Sequence, residues 1–194
     1  MSKGNIKIFG VGGGGNNFIN RVISDPIQDV EYIAVNTDYE SIDMSKAETK
    51  ILIGKNVCRG IGARMNPTLG EKAAVEDIDS IEKLLVGAEI VLLVAGMGGG
   101  TGTGAAHVIA KAAQQKELPT AAFVTVPFTF EGKQRSLYSE EGVNKLRGSV
   151  DHLSIIQNDS LLLKIDKNES MLKGFEMVDR QILHEMKEFI EKVS

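Results

Sequence analysis

Residues 96–104 read GMGGGTGTG, six glycines in nine positions, directly after the apolar run IVLLVA at 90–95. The run is continuous rather than alternating, the pattern of a strand buried on both faces of a parallel sheet. Glycine inside an element costs about 0.5–1 kcal/mol relative to alanine. A chain that strips its side chains where a buried strand ends therefore has a use for bare backbone at that point. In an open parallel sheet that point is the mouth of the ligand crevice. Backbone N–H groups with no Cβ in the way form an anion-binding nest. A helix starting near Thr103 adds its N-terminal dipole, and the hydroxyls of Thr101 and Thr103 are further donors toward phosphate.

The rest of the chain supplies the sheet. Apolar runs at 6–10, 32–35, 50–53, 90–95, 120–126 and 152–156 read as strands. Helical spacing occupies 18–23, 67–85, 103–116 and 133–148 between them. This alternation predicts one α/β domain, a Rossmann-like doubly wound parallel sheet with flanking helices. The last segment, 171–194, predicts a long C-terminal helix, with Phe175, Val178, Ile182, Met186, Phe189 and Val193 on one apolar stripe. The acidic run 76–79 reads as a solvated helix face.

A second glycine loop, GVGGGGNN at 10–17, follows the first strand. It satisfies G-x-G-x-x-G, and Asp38 stands at the end of the second strand. On this loop alone a nicotinamide-dependent Rossmann oxidoreductase, with Asp38 on a ribose, ranks level with any other nucleotide binder. Two glycine loops at neighbouring strand ends face one crevice, and two nests suit a polyphosphate better than a single pyrophosphate does. No G-x-x-x-x-G-K-[ST] is present, so backbone amides, not a P-loop lysine, must hold the phosphates.

At 194 residues with a net charge of −4 and no long basic run, the chain has no nucleic-acid signature. No apolar stretch approaches membrane-spanning length. The single cysteine, Cys58, forms no internal disulfide and points to a cytoplasmic setting, with a packing role. His107, His152 and His184 lack metal-ligand spacing, so no metal site is expected.

The signature GMGGGTGTGAA resembles that of the tubulin/FtsZ family. The likeness continues in order through GVGGGGNN, EYIAVNTD, NPTLGEKAA, PFTFEGKQR, IIQND and FEMVD, and is strongest to the bacterial division branch. It implies a filament-forming GTPase fold that binds GTP or GDP with Mg²⁺, assembles head to tail with like subunits, and meets division proteins at the division site. Carried over residue by residue, Gly13, Gly14, Gly15, Asn16 and Asn17 match the first phosphate and base loop. Gly99, Gly100, Thr101, Gly102 and Thr103 match the signature loop. Glu131 resembles the ribose-binding carboxylate and Arg135 an arginine that reaches the phosphates. Asn158 and Asp179 resemble readers of the guanine edge, with Phe175 beside the base. Phe175 and Asp179, four apart, share a helix face. A carboxylate accepts the N1–H and N2–H₂ donors of guanine together, a donor pair that adenine lacks.

Two departures qualify the resemblance. Similar proteins carry GAGANP in the loop before Pro67, where the γ-phosphate is sensed, whereas this chain reads GARMNP. Arg64 is directed either to that phosphate or to water. The family also completes hydrolysis with an acidic N-x-D-x-x-D loop after the long helix, in a second region that these 194 residues do not include. The expectation is therefore a nucleotide-binding domain with no catalytic residue of its own. It would turn GTP over only when another subunit supplies the acidic loop. A non-catalytic guanine-nucleotide-binding protein that caps or modulates filaments is the alternative.

Overall fold

A computed structural model describes residues 5–162 and 170–193. Six parallel strands form one sheet in the order β3-β2-β1-β4-β5-β6. They are β1 (Ile6–Val11), β2 (Val30–Asn36), β3 (Thr49–Leu52), β4 (Ile90–Gly96), β5 (Thr120–Val126) and β6 (His152–Gln157). The winding reverses between β1 and β4, whose registers bring Gly10 level with Val94. Both glycine loops leave the sheet at this reversal, as expected for a doubly wound fold.

Helices cover both faces. On one side lie α3 (Pro67–Glu76), α4 (Ile78–Leu84), α5 (Thr101–Gln115) and α6 (Lys133–Arg147). They bury alternate strand residues such as Phe9, Ile33, Leu93 and Val124. On the other side lie α1 (Gly12–Val22), the short α2 (Tyr39–Asp43) and α8 (Met171–Val193), closing over Ile8, Leu92, Phe123 and Ile156. A single-turn α7 (Asp159–Leu162) follows β6. Val178, Ile182, Met186 and Phe189 of the expected α8 stripe are buried, and Val193 is exposed.

Three local expectations change. Helix α1 begins at Gly12 instead of near residue 18, so GGGGNN is its first turns and not a loop. The helix expected over 67–85 is two helices, broken at Asp77, which leaves helical geometry at φ −106°, ψ 24°. The acidic run at the break keeps Glu76 and Asp79 exposed, as expected of a solvated face, but two of its carboxylates do more than face water. Asp77 Oδ2 accepts from Gly54 N (2.6 Å), and the Glu76 carboxylate accepts from the N–H groups of Asn56 (2.9 Å) and Val57 (3.1 Å). These carboxylates hold loop 54–57 to the helix pair, so the break serves a tertiary contact that helical spacing cannot reveal. Cys58 is buried in the core, consistent with packing. His107 (α5), His152 (β6) and His184 (α8) lie on separate elements, and no described helix is long and apolar enough to cross a membrane.

Candidate functional site: a cleft at the strand reversal

At the carboxyl ends of β1 and β4 a cleft of about 330 Å³ opens, lined chiefly by Gly13, Gly14, Gly99, Thr101, Arg64 and Arg135. A larger hollow of about 890 Å³ lies at the other edge of the sheet, where β5 and β6 begin. Neither glycine loop reaches it, so it lacks the chemistry that the sequence concentrates at the reversal.

The two loops meet backbone to backbone. A Cβ on Gly12, which has φ +70°, would lie 2.7 Å from Gly102 N, and one on Gly14 would lie 2.8 Å from Gly96 N. Gly15 is closed off by Val94 O at 2.3 Å and Gly104 by Pro67 O at 2.1 Å. Real Cβ atoms do not tolerate such distances, so these glycines let α1, β4, α5 and α3 approach one another. Gly13 and Gly99 differ: a Cβ there meets nothing within 4 Å. Both line the cleft, and Gly13 stands in the first turn of α1, where N–H groups have no helical partner.

Hydroxyls brace the loops from behind. Thr101 and Thr37 share a hydrogen bond of 2.6 Å, and Thr37 Oγ1 accepts from Ala63 N (2.9 Å). Thr37, fully buried after β2, thus ties the signature loop to loop 62–65. The Thr103 hydroxyl accepts from Gly98 N (2.9 Å) inside its own loop. Asn16 is buried, and with its amide nitrogen turned inward it donates to Gly10 O (3.2 Å), Gly12 O (2.7 Å) and Val35 O (3.2 Å). Thr103 and Asn16 therefore brace the two cradles from within, while Asn17 is exposed on α1.

The remaining matched residues lie along the same edge of the sheet. Glu131 accepts from Phe128 N (2.9 Å) and pairs with Arg135 at 2.6 Å. Arg135 reaches the cleft from the start of α6, and its Nε is buried without a partner. Asn158 follows β6, and its Oδ1 is likewise a buried acceptor with no donor. Orphaned groups of this kind are costly, about 1–3 kcal/mol each, and a bound nucleotide offers partners of both signs.

Asp179 is 4% exposed on α8. It is not the solvated position that its place beside the α8 stripe allowed. Arg21, one turn after Asn17 on α1, holds it with a two-pronged contact: Nε to Oδ2, and Nη2 to Oδ1 at 3.0 Å. The guanidinium also lies 5.6 Å from the Phe175 ring centroid. Burial pushes the Asp179 carboxyl above its ordinary range, with Arg21 acting in the opposite direction and Glu176 adding to the rise. Sequence reasoning missed Arg21 and Thr37. The signal for Arg21 was its i,i+4 spacing from Asn17; Thr37 carried none beyond its place after a strand.

Asp38, the ribose candidate of the dinucleotide reading, caps α2 by accepting from Ser41 N (2.8 Å). No cluster of three or more His, Cys, Asp or Glu side chains suited to a metal occurs among the described residues.

Comparison with known proteins fits this geometry. A sequence profile described as "Tubulin/FtsZ family, GTPase domain" matches residues 5–166. An empty FtsZ dimer from M. jannaschii is similar at 38% identity and a TM-score of 0.84, over 92% of this chain and 52% of that one. A second M. jannaschii FtsZ structure gives 38% identity and a TM-score of 0.86, over 95% and 55%. CetZ2 from Haloferax volcanii, a GTPγS-bound protofilament, is 26% identical with a TM-score of 0.80, over 91% and 55%. The chain thus spans about half the length of the solved structures it matches.

Proposed function

The chain belongs to the tubulin/FtsZ family, and from that premise we propose that it is the guanine-nucleotide-binding domain of an FtsZ-like, filament-forming division GTPase. One observation carries the reading. Along the carboxyl edge of the sheet, the groups matched to base, ribose and phosphates follow the strand order. Asn158 follows β6, Glu131 and Arg135 follow β5, the signature loop follows β4, and the first glycine cradle follows β1. A dinucleotide reading uses only the β1–β2 half and gives the second cradle and the α8 carboxylate no task.

In this reading the free N–H groups at Gly13 and Gly99 receive phosphate oxygens, Arg135 adds positive charge, and Mg²⁺ is carried by the phosphates and water. Asp179 selects guanine. Because Arg21 holds both carboxylate oxygens, the base must displace or share that arginine, which keeps a seat over the Phe175 ring. Orienting and activating the attacking water falls to an acidic loop from another subunit in a head-to-tail filament. The 194 residues act as one nucleotide-binding domain, cytoplasmic and concentrated where the cell divides.

Mass identification of nucleotide bound to the purified chain, followed by titration with GTP and ATP, tests this. Guanine nucleotide is expected, with the preference over ATP lost in D179A. Turnover by the chain alone of about 1 s⁻¹ or faster would refute the division of labour. Phosphate release that rises when a full-length FtsZ is added supports it. No rise would leave the non-catalytic, filament-modulating role.

A further inference from the structure

We propose that the cavity between α6 and the carboxyl ends of β5 and β6 is a second ligand site, one that takes a short aliphatic diamine carrying two positive charges. It lies apart from the nucleotide cleft, and the two share no lining residue.

The first observation is an unsatisfied group. The cavity measures about 320 Å³, at the small end of the range for ligand sites. Ser139 of α6 lines it, is 3% exposed, and its Oγ has no hydrogen-bond partner. A helical serine ordinarily bonds the carbonyl one turn back or turns to water, and this one does neither. Leaving a buried hydroxyl unpaired is costly, and a ligand N–H in the cavity removes that cost. Ser136, three residues earlier and on the same helix face, also lines the cavity. Its hydroxyl makes only a 3.5 Å contact to Gly132 O, so this oxygen too can accept from a ligand.

The second observation is charge. The lining carries two carboxylates, Glu140 from α6 and Asp159 from the start of α7, and no lysine, arginine or histidine. Neither carboxylate has an ion-pair partner among the described residues. Asp159 accepts from the Thr129 hydroxyl and from Thr129 N (3.0 and 3.3 Å). These bonds, the hydroxyl's first, hold its carboxyl below the ordinary range, so it stays charged. An anion would be repelled by both groups, whereas a cation answers both.

The third observation is the wall between the charges. Val126, Val143 and Ile155 line the same cavity. A hard metal cation wants a shell of oxygen ligands, and hydrocarbon supplies none. No group of three His, Cys, Asp or Glu side chains gathers for a metal among the described residues. Methylene groups suit this wall. A diamine sets one ammonium against each carboxylate and its carbons against the three apolar side chains. The ammonium on the α6 side also donates to Ser139 Oγ and Ser136 Oγ.

Putrescine, a four-carbon diamine, is titrated into the chain at constant ionic strength and followed by calorimetry and amide NMR. Butylamine and butanediol are the controls with one charge and none. The expected result is saturable binding at one site, with shifts centred on residues 126–129, 136–143 and 155–159, weaker for butylamine and lost for butanediol. E140Q and D159N should each weaken putrescine about fivefold, the upper value of an exposed ion pair. S139A should weaken it as well, while the urea midpoint of the unliganded chain stays level or rises, because the hydroxyl removed has no partner. Binding that does not saturate, that both carboxylate variants leave intact, or that butanediol reproduces would overturn the proposal. So would a midpoint that falls clearly in S139A, since the hydroxyl would then be bonded within the protein. Each of these outcomes leaves the guanine-nucleotide reading untouched.

Discussion

Replacing Gly13 with alanine separates two roles that glycines play in this cleft. An added Cβ at residue 13 meets no atom within 4 Å, and the position is in α1 with no left-handed angle. Alanine therefore fits the fold. It should raise stability by up to about 0.5–1 kcal/mol through helix propensity. With a urea slope of about 1–3 kcal/mol/M, the midpoint moves upward by roughly 0.2–1 M. The methyl group nevertheless stands in the cleft, where an anion would meet the free N–H groups of the first helical turn. Loss of one charge-assisted hydrogen bond is worth about 1.5–3 kcal/mol, or roughly a 10- to 150-fold weaker affinity. Urea unfolding followed by circular dichroism, together with calorimetric titration of GTP, reads both effects on one preparation. G13A with unchanged GTP affinity would refute the phosphate cradle at α1. G13A that is markedly destabilised would refute the claim that residue 13 faces open space.

Gly104→Ala is expected to do the reverse, since its Cβ would lie 2.1 Å from Pro67 O and 2.5 Å from Glu71 N. Both neighbours are backbone, so α3 and α5 must part, at about 3 kcal/mol or more, seen as a large drop in urea midpoint. Thr37→Val removes the hydroxyl that bridges Thr101 and accepts from Ala63 N. A buried N–H left unpaired costs about 1–3 kcal/mol, and the same variant should bind GTP more weakly because loop 62–65 is released. Acid sensitivity should trace to His107, which burial holds below the ordinary histidine value against the pull of Glu71, with Lys145 and Lys111 reinforcing burial. The unfolded chain then takes up the proton first, near pH 6.5, so this stability is present above that pH and is lost as pH falls toward the folded value. His107→Gln should flatten the fall of the urea midpoint as pH drops below about 6.5; an unchanged slope would count against the assignment. Glu71, lowered chiefly by its hydrogen bond to Lys145, adds a separate loss at more acid pH in both proteins.

The sheet was legible because its central strands are buried on both faces, and a run as short as IVLLVA, closed by glycines, fits a buried strand better than a helix. Helix starts were not. Periodicity finds apolar stripes, and the first turns of α1 contain four glycines and two asparagines, so the pattern begins only at Phe18 although the helix begins at Gly12. The break at Asp77 was hidden for a related reason: spacing on both sides is helical, and what interrupts it is a carboxylate drawn to Gly54 N, 23 residues away. Within the site, composition revealed the phosphate loops, and two local signals, the Phe175–Asp179 spacing and the family likeness, marked Asp179. Its partner Arg21 lies 158 residues earlier. An ion pair joining α1 to α8 exists only once the sheet has wound the chain back on itself.

The glycines of the signature loop illustrate why such composition is read correctly in sum and wrongly in detail. Glycine enrichment at a strand end has two physical sources, room for a ligand and room for another backbone, and the sequence adds them together. The fold separates them. Gly12, Gly14, Gly15, Gly100, Gly102 and Gly104 each face protein backbone closer than 3.1 Å from an added Cβ, so their bareness serves the junction of β1, β4, α1, α3 and α5. Only Gly13 and Gly99, among the glycines lining the cleft, keep the space open. The two sources are nonetheless one design, because the junction is what brings the two open positions to the same cleft. Substitutions at the packed glycines should therefore lower stability and affinity together, whereas those at Gly13 and Gly99 should lower affinity alone. A scan in which the two properties fell in proportion at all eight positions would mean that no glycine here is reserved for a ligand.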